Sequence, residues 1–353
     1  MTSERQHGEY KVPGGKLVVA DLAVRDNHLA DVVLSGDFFL EPDEALGRIS
    51  QALEGQPADA PLATLVHAVE EARQDAVMVG FDERSVALAV LRALGRSSAW
   101  HDHRFELLET GLQHPHLQMA LDEVIARQVG EGLRGPTLRV WEWASNSVII
   151  GSFQSLSNEV DLEAAARHEA TVVRRISGGG AMFVEPGNTI TYSLYVPTTL
   201  VEGLSFADSY AFLDAWVIRA LRALGVDASY VPLNDIASPA GKIGGAAQKR
   251  LASGAVLHHV TMSYDIDAEK MLDIIRIGRE KLSDKGTKSA VKRVDPIRSQ
   301  TGLPREKVIE AMLGHFRDSY GLTTVQLDDK TRSEAEALAE SKYRDPEWLA
   351  RVP

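Results

Sequence analysis

The feature that most constrains how this chain can fold is a run of three glycines, Gly178-Gly179-Gly180, a few residues after the β-branched stretch Thr171-Val172-Val173. Val and Thr suit a pleated strand and glycine tolerates positive φ, so the pattern predicts a strand over 171–176 that runs into a backbone-dense loop. Main-chain N–H groups in such a loop can converge on an anion, and Arg174 and Arg175 add fixed positive charge beside it. Side chains alternate along a strand, so the two guanidiniums point to opposite faces and one of them can face a ligand. The same residues also suit a glycine-rich hairpin carrying a solvated arginine pair. The run is not a P-loop: Gly241-Lys242, elsewhere in the chain, is followed by Ile243 rather than Ser or Thr. Nor does it match G-x-G-x-x-G at the opening of a βαβ unit.

Two units are expected. Over 16–40, short β-branched runs broken at Gly14-Gly15, Asp26-Asn27 and Gly36-Asp37 predict a small β-meander. Helical spacing follows at Leu46, Ile49, Ala52 and Leu53, at Leu62, Leu65, Val66 and Val69, and over 85–94. Residues 1–98 therefore read as a small α+β unit closed by the polar stretch Gly95-Arg96-Ser97-Ser98. The remainder, 99–353, begins with a helical face of Leu117, Ala120, Leu121, Val124 and Ile125. Strands are expected over 137–143, 147–153, 171–176, 189–196 and 255–266, with a helix over 208–224 stopped by Gly225. Asp267 is a plausible N-cap, and Val308, Ile309, Met312, Leu313 and Phe316 mark a later helix. Strands interleaved with helices predict an α+β fold on a mixed sheet.

Composition narrows the chemistry. With 50 acidic against 38 basic residues the formal charge is −12, which leaves no broad basic surface and argues against nucleic acid as a partner. The first residues carry no apolar segment behind a basic one, and no run of about 18 apolar residues occurs, so a cytoplasmic chain with no membrane partner is expected. The absence of cysteine excludes thiolate metal sites and a cysteine nucleophile.

Candidate site residues gather in three segments. Beside the glycine loop, Lys242 lies between Gly241 and Ile243-Gly244-Gly245, where little side-chain bulk allows an ammonium to be held against a carboxylate and a phosphate together. Asn234-Asp235 just upstream suits either a turn or polar ligand contacts. Lys281, Lys285 and Lys288 form a basic stretch that can close over a triphosphate or stand as a solvated loop. His258 and His259 are adjacent on an expected strand and so face opposite sides, while Trp141 and Trp143 share a face, as core or as an aromatic wall. His101-Asp102-His103 reads as a polar linker sooner than a metal site.

Taken in order, these segments resemble the lipoate-protein ligase family, within the biotin and lipoate ligase fold. RRISGGGAMF resembles its adenylate loop, NDI followed by GKIGGAAQ its catalytic-lysine segment, and GAVLHHVTMSYDID the strand that follows. The helix HPHLQMALDEVIARQ and the strands LRVWEWASNSVIIGSFQ match the opening of its catalytic domain, and the likeness spans about 105–320. YKVPGGKLVVADLAV and LSGDFFLEPDEALGRI resemble its accessory domain, here placed first. The resemblance implies a biotin/lipoate ligase-like catalytic domain over 99–353 preceded by an accessory domain over 1–98.

It further implies ATP with Mg2+, lipoate as substrate, and transfer to a lysine of an acceptor: a 2-oxo acid dehydrogenase acyltransferase, the glycine cleavage H protein or a specialised carrier. Lys242 becomes the residue touching both lipoate carboxylate and α-phosphate. Arg175, Ser177, Gly178, Gly179, Gly180, Ala181, Met182, Phe183 and Asn188 fall on the nucleotide and lipoate contact loop. Asn234 and Asp235 correspond to contacts with the adenylate or its magnesium, and His259 to a further contact. Two departures stand out: Val184 occupies a position often held by histidine, and Val260 one often held by glycine. Octanoyltransferases of the same fold use a cysteine nucleophile, which this chain lacks, and the glycine-arginine-rich loop of biotin ligases is not matched by RRISGGGAM. A non-catalytic binder of lipoylated domains is a reading from another class.

Overall fold

The computed structural model describes residues 5–12, 14–276 and 295–353. The chain divides into two compact units, one of Met1–Ala99 with Thr199–Gly203 and a second of Trp100–Thr198 with Leu204–Pro353.

In the first unit, β1 (Gln6–Lys11), β2 (Leu17–Arg25) and β3 (His28–Gly36) form the expected antiparallel meander. The strand β4 (Phe39–Glu41), helices α1 (Ala45–Leu53) and α2 (Leu62–Arg73), strand β5 (Val77–Val79) and helix α3 (Glu83–Ala93) complete it. Alternation along β2 turns Val18, Ala20 and Leu22 into a core shared with Ile49, Leu65, Val69 and Val90. Asp82 caps α3 by accepting from the Ser85 backbone N–H, while the Ser85 hydroxyl accepts in return from the Asp82 N–H.

The second unit carries β6 (Glu106–Glu109), β7 (Leu112–Gln113), α4 (Pro115–Gly130), β8 (Thr137–Trp143) and β9 (Ser147–Ile150). Next come α5 (Leu156–Glu159), α6 (Leu162–Arg167), β10 (Thr171–Arg174), β11 (Met182–Val184), β12 (Thr189–Pro197) and α7 (Phe206–Ala223). Then follow β13 (Ser229–Val231), β14 (Asp235–Ser238), β15 (Gly241–Arg250), β16 (Ala255–Ser263) and α8 (Ala268–Ile274). The last elements are α9 (Ile297–Thr301), α10 (Arg305–Tyr320), β17 (Thr323–Gln326), α11 (Asp329–Leu338) and α12 (Pro346–Leu349).

The main sheet runs β13-β14-β15-β16-β12-β8-β6-β17. Its β6–β8 and β6–β17 pairs are parallel and the pairs from β13 to β8 antiparallel, which makes it the mixed sheet expected. A second sheet, β10-β9-β11, carries the glycine loop between its outer strands. Trp141 and Trp143 are buried core residues whose indole N–H groups donate to Ser193 and Thr191. Val184 is also core, packed with the α4 face. No helix among the described residues is long and apolar enough to cross a membrane.

Several boundaries differ from expectation for identifiable reasons. The strand expected over 147–153 stops at Ile150, because Gly151 passes so close to the glycine loop that a Cβ there would lie 2.2 Å from the Gly179 carbonyl oxygen. Helix α7 starts two residues earlier than expected, capped by Ser205. The largest difference is β15, a ten-residue strand over a stretch that is absent from the expected strands. At Gly244 a Cβ would meet the Thr261 carbonyl oxygen at 2.6 Å, so glycine is what allows this strand to lie against β16.

Arg174 shows how the ends of this unit are tied. It is buried, and its guanidinium donates to the carbonyls of Gly151 (2.9 Å), Gln154 (2.7 Å), Leu349 (2.9 and 2.7 Å) and Val352 (3.2 Å). The Trp348 indole N–H donates back to the Arg174 carbonyl at 3.0 Å. Lysine keeps the charge but not the planar fork, so Arg174→Lys is expected to cost about 2 kcal/mol. Urea unfolding should show that loss, and limited proteolysis should cut the 346–353 segment earlier than in the wild type.

Candidate active site

A cavity of about 320 Å³ opens in the second unit, near the lower end of the range for small-molecule sites. One wall is the loop between β10 and β11, through Arg175, Gly180, Ala181, Met182 and Phe183. Another is the β14–β16 face, with Asn234, Lys242, Gly245, Ala247, His259 and Thr261. Helix α8 and the turn before it add Ile266, Met271, Leu272 and Ile275. These apolar side chains are held by Asp267, whose carboxylate caps α8, and by buried Glu185. Glu185 accepts from the Asp267 N–H at 2.9 Å and from Lys270 at 2.6 Å, a bond that raises the lysine's pKa.

Among the described residues, the positive end of the site has two distinct cations. Lys242 Nζ lies 2.6 Å from Asp235 Oδ1, with half of its side chain exposed. A Cβ on Gly245 would sit 3.2 Å from that Nζ and 3.4 Å from the carboxylate, so the bare backbone there makes room for the pair. Arg175 is only 3 % exposed. Its partners among the described residues are one hydroxyl and backbone carbonyls: Ser177 Oγ (3.0 Å), Ile149 (3.2 Å), Gly178 (2.6 Å) and Gly180 (2.9 Å). Burial brings its pKa down to about 10, so it stays charged at neutral pH. Two guanidinium bonds to alternate carbonyls bend the loop, and Gly179 meets the bend at φ +91°.

The expected residues are thereby sorted. Arg175, Gly180, Ala181, Met182, Phe183, Asn234, Lys242 and His259 line one cavity. Ser177, Gly178, Gly179, Asn188 and Asp235 are not part of that lining, and Asp235 reaches it through Lys242. Asn188 shapes the turn after β11: its carbonyl accepts from the N–H groups of Tyr264 (3.0 Å) and Asp265 (2.9 Å). Of the two arginines, Arg175 lines the cavity and Arg174 serves the tail. Lys281, Lys285 and Lys288 lie outside the described residues. No group of three or more His, Cys, Asp or Glu able to hold a metal occurs among the described residues.

The adjacent histidines do face opposite sides. His258 Nε2 lies 2.6 Å from Asp214 of α7, and His259 Nδ1 lies 2.7 Å from Asp122 of α4. Asp122 is a residue that the sequence pattern does not single out. The signal available is one carboxylate directly after the apolar pair Ala120-Leu121, next to the face assigned to the core. The buried hydroxyl of Ser263, on the cavity wall, has no hydrogen-bond partner among the described residues.

The lipoyl protein ligase A/B catalytic domain family matches residues 114–317, more than half of the chain. An octanoyltransferase LipM of Exiguobacterium is 30% identical over 280 residues, covering 71% of this chain and 98% of its own. A solved bi-partite lipoate protein ligase of Thermoplasma acidophilum superposes with a TM-score of 0.63 at 28% identity, covering 71% of this chain and 98% of that one. A structure from the same archaeon with bound lipoic acid gives a TM-score of 0.60 at 25% identity, covering 71% and 99%. By sequence and by fold, the chain belongs to the lipoyl protein ligase A/B catalytic domain family.

Proposed function

We propose that this protein is an ATP-dependent lipoate ligase, which activates lipoate as lipoyl-AMP and passes the lipoyl group to a lysine of an acceptor domain. The observation that carries the reading is Lys242, set on the wall of a cavity that also holds buried Arg175 and a mostly apolar lining. A carboxylate on an apolar chain suits those walls, and its attack on a phosphate needs positive charge between two anions.

In the first step the lipoate carboxylate attacks the α-phosphate of ATP, forming the mixed anhydride and releasing pyrophosphate. Lys242 leaves Asp235 to bridge carboxylate and phosphate, while the Arg175 loop offers backbone N–H groups and positive potential. In the second step the acceptor lysine amine attacks the acyl carbon, the new amide forms and AMP leaves. Asp235 would hold Mg2+ together with ATP's phosphates, since this ion binds through one or two carboxylates together with phosphates and water. Bound there, it would neutralise triphosphate charge. The unit over 1–98 is assigned the accessory role in adenylation. The likeness to an archaeal ligase described as bi-partite, which covers 71% of this chain, supports that assignment.

Likeness to an octanoyltransferase favours a second reading, direct acyl transfer. Transfer through a thioester on the enzyme requires a thiol, and the chain has no cysteine. The two readings separate in one assay with α-labelled ATP, Mg2+ and lipoate or octanoate, without acceptor. The ligase accumulates labelled acyl-AMP. No adenylate with either acid, together with transfer from an octanoyl carrier protein, would replace the ligase by the transferase. Acceptors to try next are lipoyl domains of 2-oxo acid dehydrogenases and the glycine cleavage H protein.

A further inference from the structure

From helix α4 into the cavity wall runs a chain of four buried side chains. Asp122 is 2 % exposed, His259 4 %, Ser177 0 % and Arg175 3 %. Asp122 Oδ2 is 2.7 Å from His259 Nδ1, His259 Nε2 is 2.7 Å from Ser177 Oγ, and Ser177 Oγ is 3.0 Å from Arg175 Nε. Only one arrangement of hydrogens satisfies all three bonds and also gives the buried Ser177 hydroxyl hydrogen an acceptor. Arg175 must donate to Ser177, since guanidinium has no acceptor. Ser177 then donates its hydroxyl hydrogen to His259 Nε2, and His259 donates from Nδ1 to the carboxylate. The imidazole is therefore the neutral Nδ1–H tautomer, in keeping with burial, which pushes its pKa below the usual range against the pull of Asp122.

We infer that Asp122, His259 and Ser177 form a positioning relay that fixes Arg175, and through it the glycine loop, so that His259 acts on the loop and not on the ligand. Three observations support this. Both ring nitrogens of His259 are already engaged, which leaves neither free for a ligand proton. Ser177 is fully buried and off the cavity lining, which excludes it as a nucleophile toward a bound acyl group. Arg175 grips Gly178 and Gly180 from the far end of the relay, so a change at Asp122 on α4 reaches the loop through hydrogen bonds alone. A protonated or Nε2–H imidazole would offer Ser177 a second donor and strand its hydroxyl hydrogen in a buried site.

The test is made on the free protein, so it stands whether or not the ligase reading does; only the kinetic consequence rests on that reading. With 15N-labelled histidine and arginine, the wild type should show His259 as the Nδ1–H tautomer and a slowly exchanging Arg175 Nε–H. Ser177→Ala removes the middle link. His259→Asn keeps a donor for Asp122 and loses the bond to Ser177, which separates the relay from loss of core stability. Both variants should raise exchange of Arg175 Nε–H and of the Gly178–Gly180 amides at least tenfold, with the β12–β16 amides unchanged. In turnover they should raise the ATP KM about tenfold and change kcat by less than threefold. A proton on Nε2 in the wild type, or loop exchange within twofold of wild type in both variants, would overturn the relay.

Discussion

Replacing Lys242 with alanine is expected to lower adenylate formation by about 10² to 10³, the usual loss for one electrostatic donor at a reaction centre. The step joins two anions, and among the described residues lining this cavity Lys242 is the half-exposed cation. Arg175 cannot replace it, because it is buried and four of its five N–H donors are committed to Ser177 and the carbonyls of Ile149, Gly178 and Gly180. The effect should be confined to the chemistry. Half of the Lys242 side chain is exposed and its partner Asp235 remains partly hydrated, so urea unfolding of the variant should overlay that of the wild type. Single-turnover formation of labelled acyl-AMP at saturating ATP and lipoate measures the loss. A rate within a few-fold of wild type would remove Lys242 from the reaction centre.

The parts of the molecule that its sequence makes legible are those governed by local rules. The short β-branched runs of the meander, the β-branched run before the glycines and the periodic apolar face of α4 each lead to the element observed. What stays hidden depends on neighbours distant in sequence. Gly241–Arg250 looks like punctuation, because the reason for its glycines is the approach of Thr261 across the sheet. Arg174 and Arg175 follow one another, and alternation says only that they diverge. Which one meets the cavity depends on the tail, 175 residues away, that takes the other. Asp122 is hidden among apolar neighbours because a lone acid on a helix shows its purpose only when Arg139, Ser193, Tyr195 and His259 are brought round it.

That convergence sets the second large effect, on stability. Asp122 Oδ1 accepts from Arg139 Nη2 at 2.9 Å and from the hydroxyls of Ser193 at 2.7 Å and Tyr195, while Oδ2 takes His259. Burial is the strongest single influence on this carboxyl and raises its pKa, but the His259 bond, the neighbouring positive charge and Tyr195 together outweigh it and hold the pKa below the ordinary value. Asp122→Asn keeps the shape and removes the charge, leaving Arg139 as a fully buried cation and turning an amide N–H2 toward groups that donate. Breaking a buried pair from one side costs about 3–5 kcal/mol. The sign of the pH dependence follows from the lowered pKa. The ionised carboxylate adds stability above the unfolded-state value, at roughly pH 4, and that stability is lost as pH falls through the lower folded value. Urea midpoints at neutral pH should therefore fall sharply in Asp122→Asn. Below about pH 4 the gap to wild type should narrow, first as the unfolded wild-type carboxyl takes up its proton and then fully as the folded one does at its lower value. A variant as stable as wild type at pH 7 would mean that Arg139 and His259 find other partners, and that Asp122 is not the anchor of the network reaching the glycine loop.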